Sequence, residues 1–111
     1  HVQTLFNWGT IDSIRGRNSQ SKDREYWLNH AISKYKNIIQ IAPNHDLSLL
    51  MLACIEGIRG NPKQCVRYLE QWYDVCPDAT IDILDGDTDF DNVRNSKEFI
   101  LFRKKLNKKD S

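Results

Sequence analysis

The chain of 111 residues has no long apolar stretch and no recognisable targeting segment. No apolar run approaches the roughly 20 residues that a membrane-spanning helix needs. The amino end lacks the order of basic and then apolar residues that marks a signal peptide. The sequence therefore predicts a soluble protein without a transmembrane segment.

Cysteines are few, and their spacing excludes the usual cysteine-based sites. Cys54, Cys65 and Cys76 lie eleven residues apart each time. Structural zinc sites place paired ligands about two to four residues apart, and an odd number of cysteines does not close a disulfide framework. We expect three reduced cysteines that act as small buried apolar residues. That expectation places the chain in a reducing intracellular compartment, the cytoplasm or an organelle.

The polar motifs of common enzyme classes are absent from the sequence as well. His1, His30 and His45 lack the spacing of a metal-binding pair, no serine lies in a nucleophile elbow, and no glycine-rich phosphate loop follows a strand. A Cys–His pair formed in space stays open, because spacing along the chain does not decide it. We expect no catalysis, no bound metal and no cofactor.

An acidic run near the carboxyl end alternates like a calcium-binding loop but lacks two fixed positions of such a loop. Every second residue from 85 to 91 is an aspartate. Phe90 stands where the loop requires glycine, and Ser96 stands where it requires its closing glutamate. We expect these carboxylates to cap the last helices and to face Arg94 or solvent.

The formal net charge is only +1, so no global field attracts nucleic acid or an anionic membrane. Five of the sixteen cations nevertheless lie in the last nine residues, and they are Arg103, Lys104, Lys105, Lys108 and Lys109. This candidate basic patch offers an alternative function, contact with RNA or an anionic membrane surface. Cations at the carboxyl end of a helix also interact favourably with the helix dipole, which explains part of the cluster without any ligand. Nucleic acid is therefore not the expected partner.

Apolar periodicity predicts a succession of helices. The first helix has an apolar face formed by Leu5, Trp8, Ile11 and Ile14. A polar loop is expected to follow it over 16–22. The predicted helices are 2–15, 23–42, 46–59, 63–76 and about 96–105.

Particular residues mark the predicted helix ends. Asp23 is a plausible cap of the second helix. Gly60, Asn61 and Pro62 supply, in that order, a glycine that ends one helix, a cap, and a proline at the first position of the next helix. Asn95 is the predicted cap of the last helix.

Two prolines divide the chain into segments of one plan. Pro43 and Pro77 lie 34 residues apart, and each follows a predicted helix. The helices before them carry matching residues at equal distances from the proline, namely Ala31 with Cys65, Tyr35 with Leu69 and Ile38 with Trp72. Together with Leu5, Trp8 and Gly9 in one segment and Leu49, Leu52 and Ala53 in the other, they resemble the consensus positions of tetratricopeptide repeats.

The resemblance implies an all-α fold in which antiparallel helical hairpins stack as a short tetratricopeptide-like solenoid. Gly9 and Ala31 are 22 residues apart, more than the family spacing, so the first repeat would hold an insertion of about ten residues. A single domain would span 1–111, with repeat one at 2–45, repeat two at 46–79, and a capping segment with the basic tail at 80–111.

The same resemblance implies binding rather than catalysis, by a scaffold or adaptor that holds a partner peptide or helix in a concave groove. Carried over by position, the groove would be lined by Gln3, Phe6, Asn7, Thr10, Ser13, Leu47, Leu50, Cys54 and Ile58. Because the groove is largely apolar, we expect a partner protein that inserts an apolar helix or anchor. Only Asn7 matches the residues with which chaperone adaptors of this family clamp a terminal carboxylate, so no such clamp is expected.

Two further possibilities follow from the resemblance. Self-association through the exposed end of so short an array stays open. Asn7, Trp8 and Gly9 followed by the expanded hairpin are also similar to the first repeat of plant-type mitochondrial import receptors. That similarity leaves an organelle-import or secretion-linked adaptor as an alternative.

Overall fold

The computed structural model describes residues 2–78 and 82–110, apart from the side chains of residues 21, 83 and 107–110. Within these residues the protein is all-α and contains no strand, as the sequence predicts. None of the described helices is both long and apolar enough to cross a bilayer. The helices are α1 (Val2–Arg17), α2 (Ser21–Ile41), α3 (Asp46–Ile58), α4 (Pro62–Val75), α5 (Asp82–Gly86) and α6 (Lys97–Asp110), with one 3₁₀ helix at Thr88–Phe90.

The chain divides into two units, residues 1–51 and residues 52–111, and the boundary lies within α3. The first unit contains α1, α2 and the start of α3. The second contains the rest of α3 and all the following helices.

Helices α1 and α2 pack as an antiparallel hairpin whose interface depends on two glycines. A Cβ atom at Gly9 would lie 2.9 Å from the ring of Tyr35, and one at Gly16 would lie 2.7 Å from the side chain of Leu28. Since the later residue of α1 meets the earlier residue of α2, the helices run in opposite directions. Tyr35 and Leu28 are fully buried, which stabilises the hairpin by roughly 1.5–3 kcal/mol for each side chain.

The buried face of α1 is not the apolar face that the sequence predicts. Trp8, Ile11 and Ile14 are 58%, 47% and 51% exposed. The buried residues of α1 are instead Gly9, Asp12, Ser13 and Gly16. Bulky residues of α2 fill the interface and require small residues opposite them, which leaves the apolar face of α1 largely outside it.

The first hairpin also has longer helices than the sequence predicts. Helix α1 continues to Arg17, so Gly16 belongs to the helix and not to a loop, and α2 already begins at Ser21. Gln20 therefore occupies the cap position that we expected for Asp23, without a side-chain cap bond. Helices α1 and α2 have 16 and 21 residues, against 13 and 14 in α3 and α4. The first hairpin is therefore longer than the second because its helices are longer.

The junction between α3 and α4 follows the predicted order of residues. Gly60 has φ of +73°, which is the left-handed conformation that glycine adopts after a helix. Pro62 begins α4, but the side chain of Asn61 makes no cap hydrogen bond. In the second unit the buried face of α4 comprises Cys65, Val66, Leu69, Trp72 and Tyr73.

The segment before α6 packs on the end of α3 within the second unit. A Cβ atom at Gly57 would lie 2.6 Å from the main-chain oxygen of Asp89. The rings of Phe90 and Phe99 lie 5.7 Å apart, which joins this segment to α6. The cap of α6 is Ser96, not Asn95, because the Ser96 hydroxyl accepts the hydrogen bond of the Phe99 N–H at 3.2 Å.

Candidate functional site

The most exposed aromatic surface of the first unit is a groove between α1 and α2, which we call the tryptophan groove. It encloses a cavity of about 340 Å³. Its lining residues are Trp8, Ile11, Asp12 and Arg15 of α1 and Trp27, His30 and Lys34 of α2. Since Trp8 and Ile11 are about half exposed, the groove offers apolar surface that the first unit does not use for its own packing.

Cations lie over both tryptophans of the groove. The guanidinium carbon of Arg15 is 4.7 Å from the ring centre of Trp27. The ammonium group of Lys34 is 5.6 Å from the ring centre of Trp8. Both distances fall within the reach of a cation–π interaction, which restricts the positions of these long side chains.

The floor of the groove contains a nearly buried ion pair. The carboxylate of Asp12 pairs with the ammonium group of Lys34. The side chain of Asp12 is 7% exposed and that of Lys34 is 21% exposed. A carboxylate at such depth requires a partner, and Lys34 supplies it from the neighbouring helix.

One end of the groove carries an aromatic cluster on α2. The ring of Tyr26 meets Trp27 edge-on at 5.0 Å and lies 4.5 Å from His30. Tyr26 is 56% exposed and His30 is also exposed. Tyr26 and His30 are four residues apart and therefore neighbours on the helix surface, whereas Tyr26 and Trp27 are adjacent in the sequence.

The α1 residues of the predicted concave groove differ in how accessible their side chains are to a partner. The Gln3 amide donates to the side chain of Asn7 at 3.0 Å, and both residues are exposed. The Thr10 hydroxyl donates to the carbonyl of Phe6 and lies 3.2 Å from the Tyr35 hydroxyl. Ser13 is 3% exposed, so its side chain is not accessible to a partner in this structure.

The ring of Phe6 packs inside the first unit. It lies 5.6 Å from the ring of Tyr35 and 5.5 Å from that of His45. Phe6 is only partly exposed, so part of its surface serves internal packing.

The α3 residues of the predicted concave groove also differ in exposure. Leu47 is 50% exposed and Cys54 is 2% exposed. Leu50 and Ile58 are partly exposed. Leu47 and Leu50 belong to the first unit, whereas Cys54 and Ile58 belong to the second.

Two cations of the predicted basic patch, Arg103 and Lys105, form ion pairs. Arg103 binds Asp85 through two hydrogen bonds of 2.9 and 2.7 Å. This contact lowers the pKa of the Asp85 carboxyl below its ordinary value. Lys105 lies 3.9 Å from Glu70, and Lys104 is exposed. The side chains of Lys108 and Lys109 lie outside the described part of the chain.

Arg94 binds the aspartate-rich segment, and the Asp91 carboxylate faces this arginine as the sequence predicts. The guanidinium donates to the carbonyls of Leu84 and Asp87 at 2.6 and 2.7 Å and to the carboxylate of Asp91 at 3.3 Å. The carboxylate of Asp87 also caps the 3₁₀ helix by accepting the N–H of Asp89 at 2.9 Å. These carboxylates therefore serve as caps and ion-pair partners.

Three potential metal ligands nevertheless meet at this segment. A thiol and two carboxylates, from Cys54, Asp87 and Asp89, have ligand atoms within 4.8 Å of one another. The Cys54 thiol donates to the Asp87 carboxylate at 3.9 Å, a long and weak contact. The Asp87 carboxylate therefore already accepts two contacts, one from the Asp89 N–H in the helix cap and one from the Cys54 thiol.

A serine and a histidine lie in contact, but in the arrangement of a helix cap. The Nδ1 atom of His45 is 2.8 Å from the Ser48 hydroxyl, and the Ser48 N–H also donates to it at 3.3 Å. His45 directly precedes α3, so its ring satisfies an unpaired N–H of the first helical turn. Ser48 is fully buried. The sequence analysis missed this cap because histidine is not a usual cap residue.

The buried thiol of Cys65 is chemically unreactive in its surroundings. Burial, and then the nearby charge of Glu56, raise its pKa to about 12. The same two causes raise the pKa of the Tyr68 hydroxyl. A raised pKa disfavours the thiolate, which is the nucleophilic form, so the surroundings of Cys65 are those of a structural thiol.

Two adjoining cavities lie between α4 and α6 in the second unit. Their volumes are about 110 and 300 Å³. Phe102 lines both and is buried, whereas Leu101 is 56% exposed. Glu70 and Lys105 lie at both cavities and form a weak surface ion pair.

No protein-family model matches this chain, and comparisons with curated proteins and with solved structures find no match either. The resemblance to tetratricopeptide repeats therefore stays a prediction.

Proposed function

We propose that this chain is a non-catalytic protein-interaction module, a scaffold or adaptor, and that its tryptophan groove is the binding surface. The observation that carries the proposal is the groove's exposed apolar lining, with Trp8 and Ile11 58% and 47% exposed. Tryptophan and arginine are among the residue types enriched at the energetic centres of protein interfaces. The groove joins the two in the contact of Arg15 with Trp27.

We further propose that the hairpins form a short tetratricopeptide-like solenoid. Helices α2 and α4 support this idea because each ends two residues before its proline, Pro43 or Pro77. Ala42 and Cys76 follow these helices with similar backbone angles, and their N–H groups donate to the equivalent residues Ile38 and Trp72. Two helix ends with one plan are what repeats of 34 residues require.

The concave groove predicted from the resemblance is the weaker candidate surface. Two of its residues, Ser13 and Cys54, are almost fully buried. A third, Phe6, packs on Tyr35 and His45. A partner could reach these residues only after buried side chains move. The apolar residues Trp8 and Ile11 of the tryptophan groove are already exposed, so a partner can contact them without such a movement.

Contact with RNA or an anionic membrane through the basic patch has less support. The best-placed cation, Arg103, already donates two hydrogen bonds to Asp85. A phosphate would have to compete with this carboxylate for the guanidinium.

Affinity capture from a lysate of the source organism tests the proposal. The immobilised proteins are the wild type, a groove variant with Trp8→Ser and Ile11→Ser, and a control variant with Ile100→Ser and Leu101→Ser. The control also replaces two exposed apolar residues, which lie on α6 of the second unit. Circular dichroism verifies that both variants keep their helices.

We expect the groove variant to lose bound proteins that the wild type and the control retain. Retention of every partner by the groove variant would reject the tryptophan groove. Loss by the control alone would assign binding to the surface beside the α4–α6 cavities.

A further inference from the structure

We infer that the tryptophan groove binds an acidic segment of a partner protein, which inserts one aromatic or large aliphatic side chain between acidic residues. This inference rests on the proposed function and adds the chemistry of the partner. It is drawn from the charges and the apolar space of the groove.

Arg15 is the cation that a partner carboxylate would reach first. It is exposed and stacked on Trp27. Among the described residues it has no acidic partner. A guanidinium that stacks through its face keeps its N–H groups at the edge, where a carboxylate accepts two parallel hydrogen bonds. Stacking also restricts the side chain before binding, which lowers the entropy cost of the contact.

The remaining charges of the groove do not cancel Arg15. Asp12 is the only acidic residue of the lining, and it is already paired with Lys34. Among the described residues that line the groove, one positive charge, that of Arg15, is therefore left uncompensated. The first 51 residues carry six lysines and arginines against four acidic residues. A basic partner would be repelled at this surface, whereas an acidic one would be attracted.

The apolar part of the groove has room for a single anchor. Its cavity of about 340 Å³ lies at the small end of the roughly 300–1,000 Å³ range of ligand pockets. The exposed side chains of Trp8 and Ile11 form an apolar wall. One phenylalanine, tryptophan or leucine side chain of the partner would bury this wall, while a neighbouring carboxylate meets Arg15.

A single-stranded nucleic acid fits the same groove less well. Bases stack on open aromatic faces, and backbone binding requires several unpaired cations. One face of Trp27 is taken by Arg15, and the charge of Lys34 is largely offset by Asp12. A cation lies over one face of each groove tryptophan, and among the described residues Arg15 alone of the groove cations has no acidic partner, which together favour a protein ligand.

Titration of the full chain with short fluorescein-labelled peptides tests the inference directly. The acidic probe has one phenylalanine flanked by glutamates on both sides, and two control peptides replace the glutamates by glutamine or by lysine. A labelled oligouridine serves as the nucleic-acid probe. Fluorescence anisotropy reports binding, and quenching of Trp8 or Trp27 reports its place, because the third tryptophan, Trp72, is only 4% exposed.

We expect the acidic peptide to bind more tightly than both control peptides and to quench a groove tryptophan. Arg15→Glu should weaken this binding on the order of tenfold or more, which is the effect of one lost charge-assisted contact. The matched control is Lys36→Glu, an exposed α2 position outside the groove lining, which should change the affinity much less.

Four results would overturn the inference. Equal or tighter binding of the glutamine or lysine peptide would reject acidic chemistry but leave the groove as an interaction surface. Binding of oligouridine alone would assign the groove to nucleic acid. Absence of binding by every probe would reject a peptide of this chemistry, and affinity capture would then test the proposed function separately. A dimer of the free chain that Arg15→Glu dissociates would show that the occupant is a second copy.

Discussion

Lys34 of α2 forms an ion pair with the nearly buried carboxylate of Asp12 in α1. Replacing Asp12 by asparagine leaves Lys34 without its counter-charge in a half-closed site. We expect Asp12→Asn to lower the free energy of unfolding by about 2 kcal/mol, somewhat less than the loss of a fully buried partner. Urea unfolding followed by circular dichroism measures the change.

The matched control for this pair is Lys34→Met, which keeps the length and the apolar stem of the side chain. Lys34 is three times as exposed as Asp12, with 21% against 7%. Its removal leaves the more deeply buried Asp12 carboxylate without a counter-charge, so Lys34→Met should cost more than Asp12→Asn. A smaller loss from Lys34→Met would contradict our account of the ion pair.

Gly57 should not tolerate even the smallest side chain. The Cβ atom of an alanine there would lie 2.6 Å from the main-chain oxygen of Asp89, and a backbone atom does not move aside easily. Alanine gains about 1 kcal/mol of helix propensity over glycine, but the overlap should cost roughly 1–3 kcal/mol. We expect a net loss of about 1 kcal/mol in the free energy of unfolding, measured by urea denaturation.

Gly86 provides the comparison for Gly57. A Cβ atom at Gly86 meets nothing within 4 Å. Gly86→Ala should therefore change stability by less than about 0.5 kcal/mol. Equal losses at both positions would show that general helix effects, and not the close approach of Asp89, decide the outcome.

The three cysteines should react at very different rates with a thiol reagent. Cys54 and Cys65 are buried, and the pKa of Cys65 is raised to about 12, whereas Cys76 is partly exposed. With Ellman's reagent at pH 8, we expect one thiol to react quickly and two to react only as the protein unfolds. Cys76→Ser should abolish the fast phase. A fast phase that survives in this variant would contradict the burial of the other two thiols.

The ion pair of Asp85 with Arg103 should give a pH-dependent contribution to stability. Hydrogen bonding to Arg103 lowers the pKa of Asp85 below its ordinary value of 3.8. A lowered pKa in the folded state means that the stabilisation is complete above 3.8 and is lost as the pH falls through the lowered value. The side chains of Asp85 and Arg103 are 53% and 26% exposed, so solvent screens the pair and its contribution at neutral pH should be below about 1 kcal/mol.

Comparison of the wild type with Asp85→Asn measures this contribution. The difference in their unfolding free energies should be constant from pH 7 to pH 5 and should shrink below the ordinary pKa of 3.8. Asp78→Asn, at an exposed position outside the helices, is the control for removing one negative charge. A difference that grows as the pH falls would contradict the ion pair.

Local signals allowed the positions of most helices to be predicted. Pro43 and Pro77 mark the ends of α2 and α4, and Gly60 with Pro62 marks the junction before α4. These signals act within a few residues, so a single sequence contains them. The choice between neighbouring caps was less secure, because Asn95 and Ser96 are both good cap residues and only the structure selects Ser96.

The tryptophan groove could not be predicted from residue spacing. Trp8 and Ile11 have the spacing of a core-facing stripe, and nothing local shows that Gly9 and Gly16 form the buried face instead. The contact of Arg15 with Trp27 depends on the register between two helices. That register is set by how Tyr35 and Leu28 fit against the glycines, which is a tertiary effect. The two glycines, seven residues apart on one helix, were the available signal.

The central claim is that a partner protein binds the tryptophan groove. The most direct measurement is photo-crosslinking in cells of the source organism, with a photoreactive phenylalanine analogue at position 11 and, as the control, at position 101. Both positions carry exposed aliphatic residues, Ile11 at 47% and Leu101 at 56% exposure. We predict a defined protein adduct from position 11 that Arg15→Glu abolishes, and no such adduct from position 101. Adducts from position 101 alone, or an adduct from position 11 that does not depend on Arg15, would contradict the account.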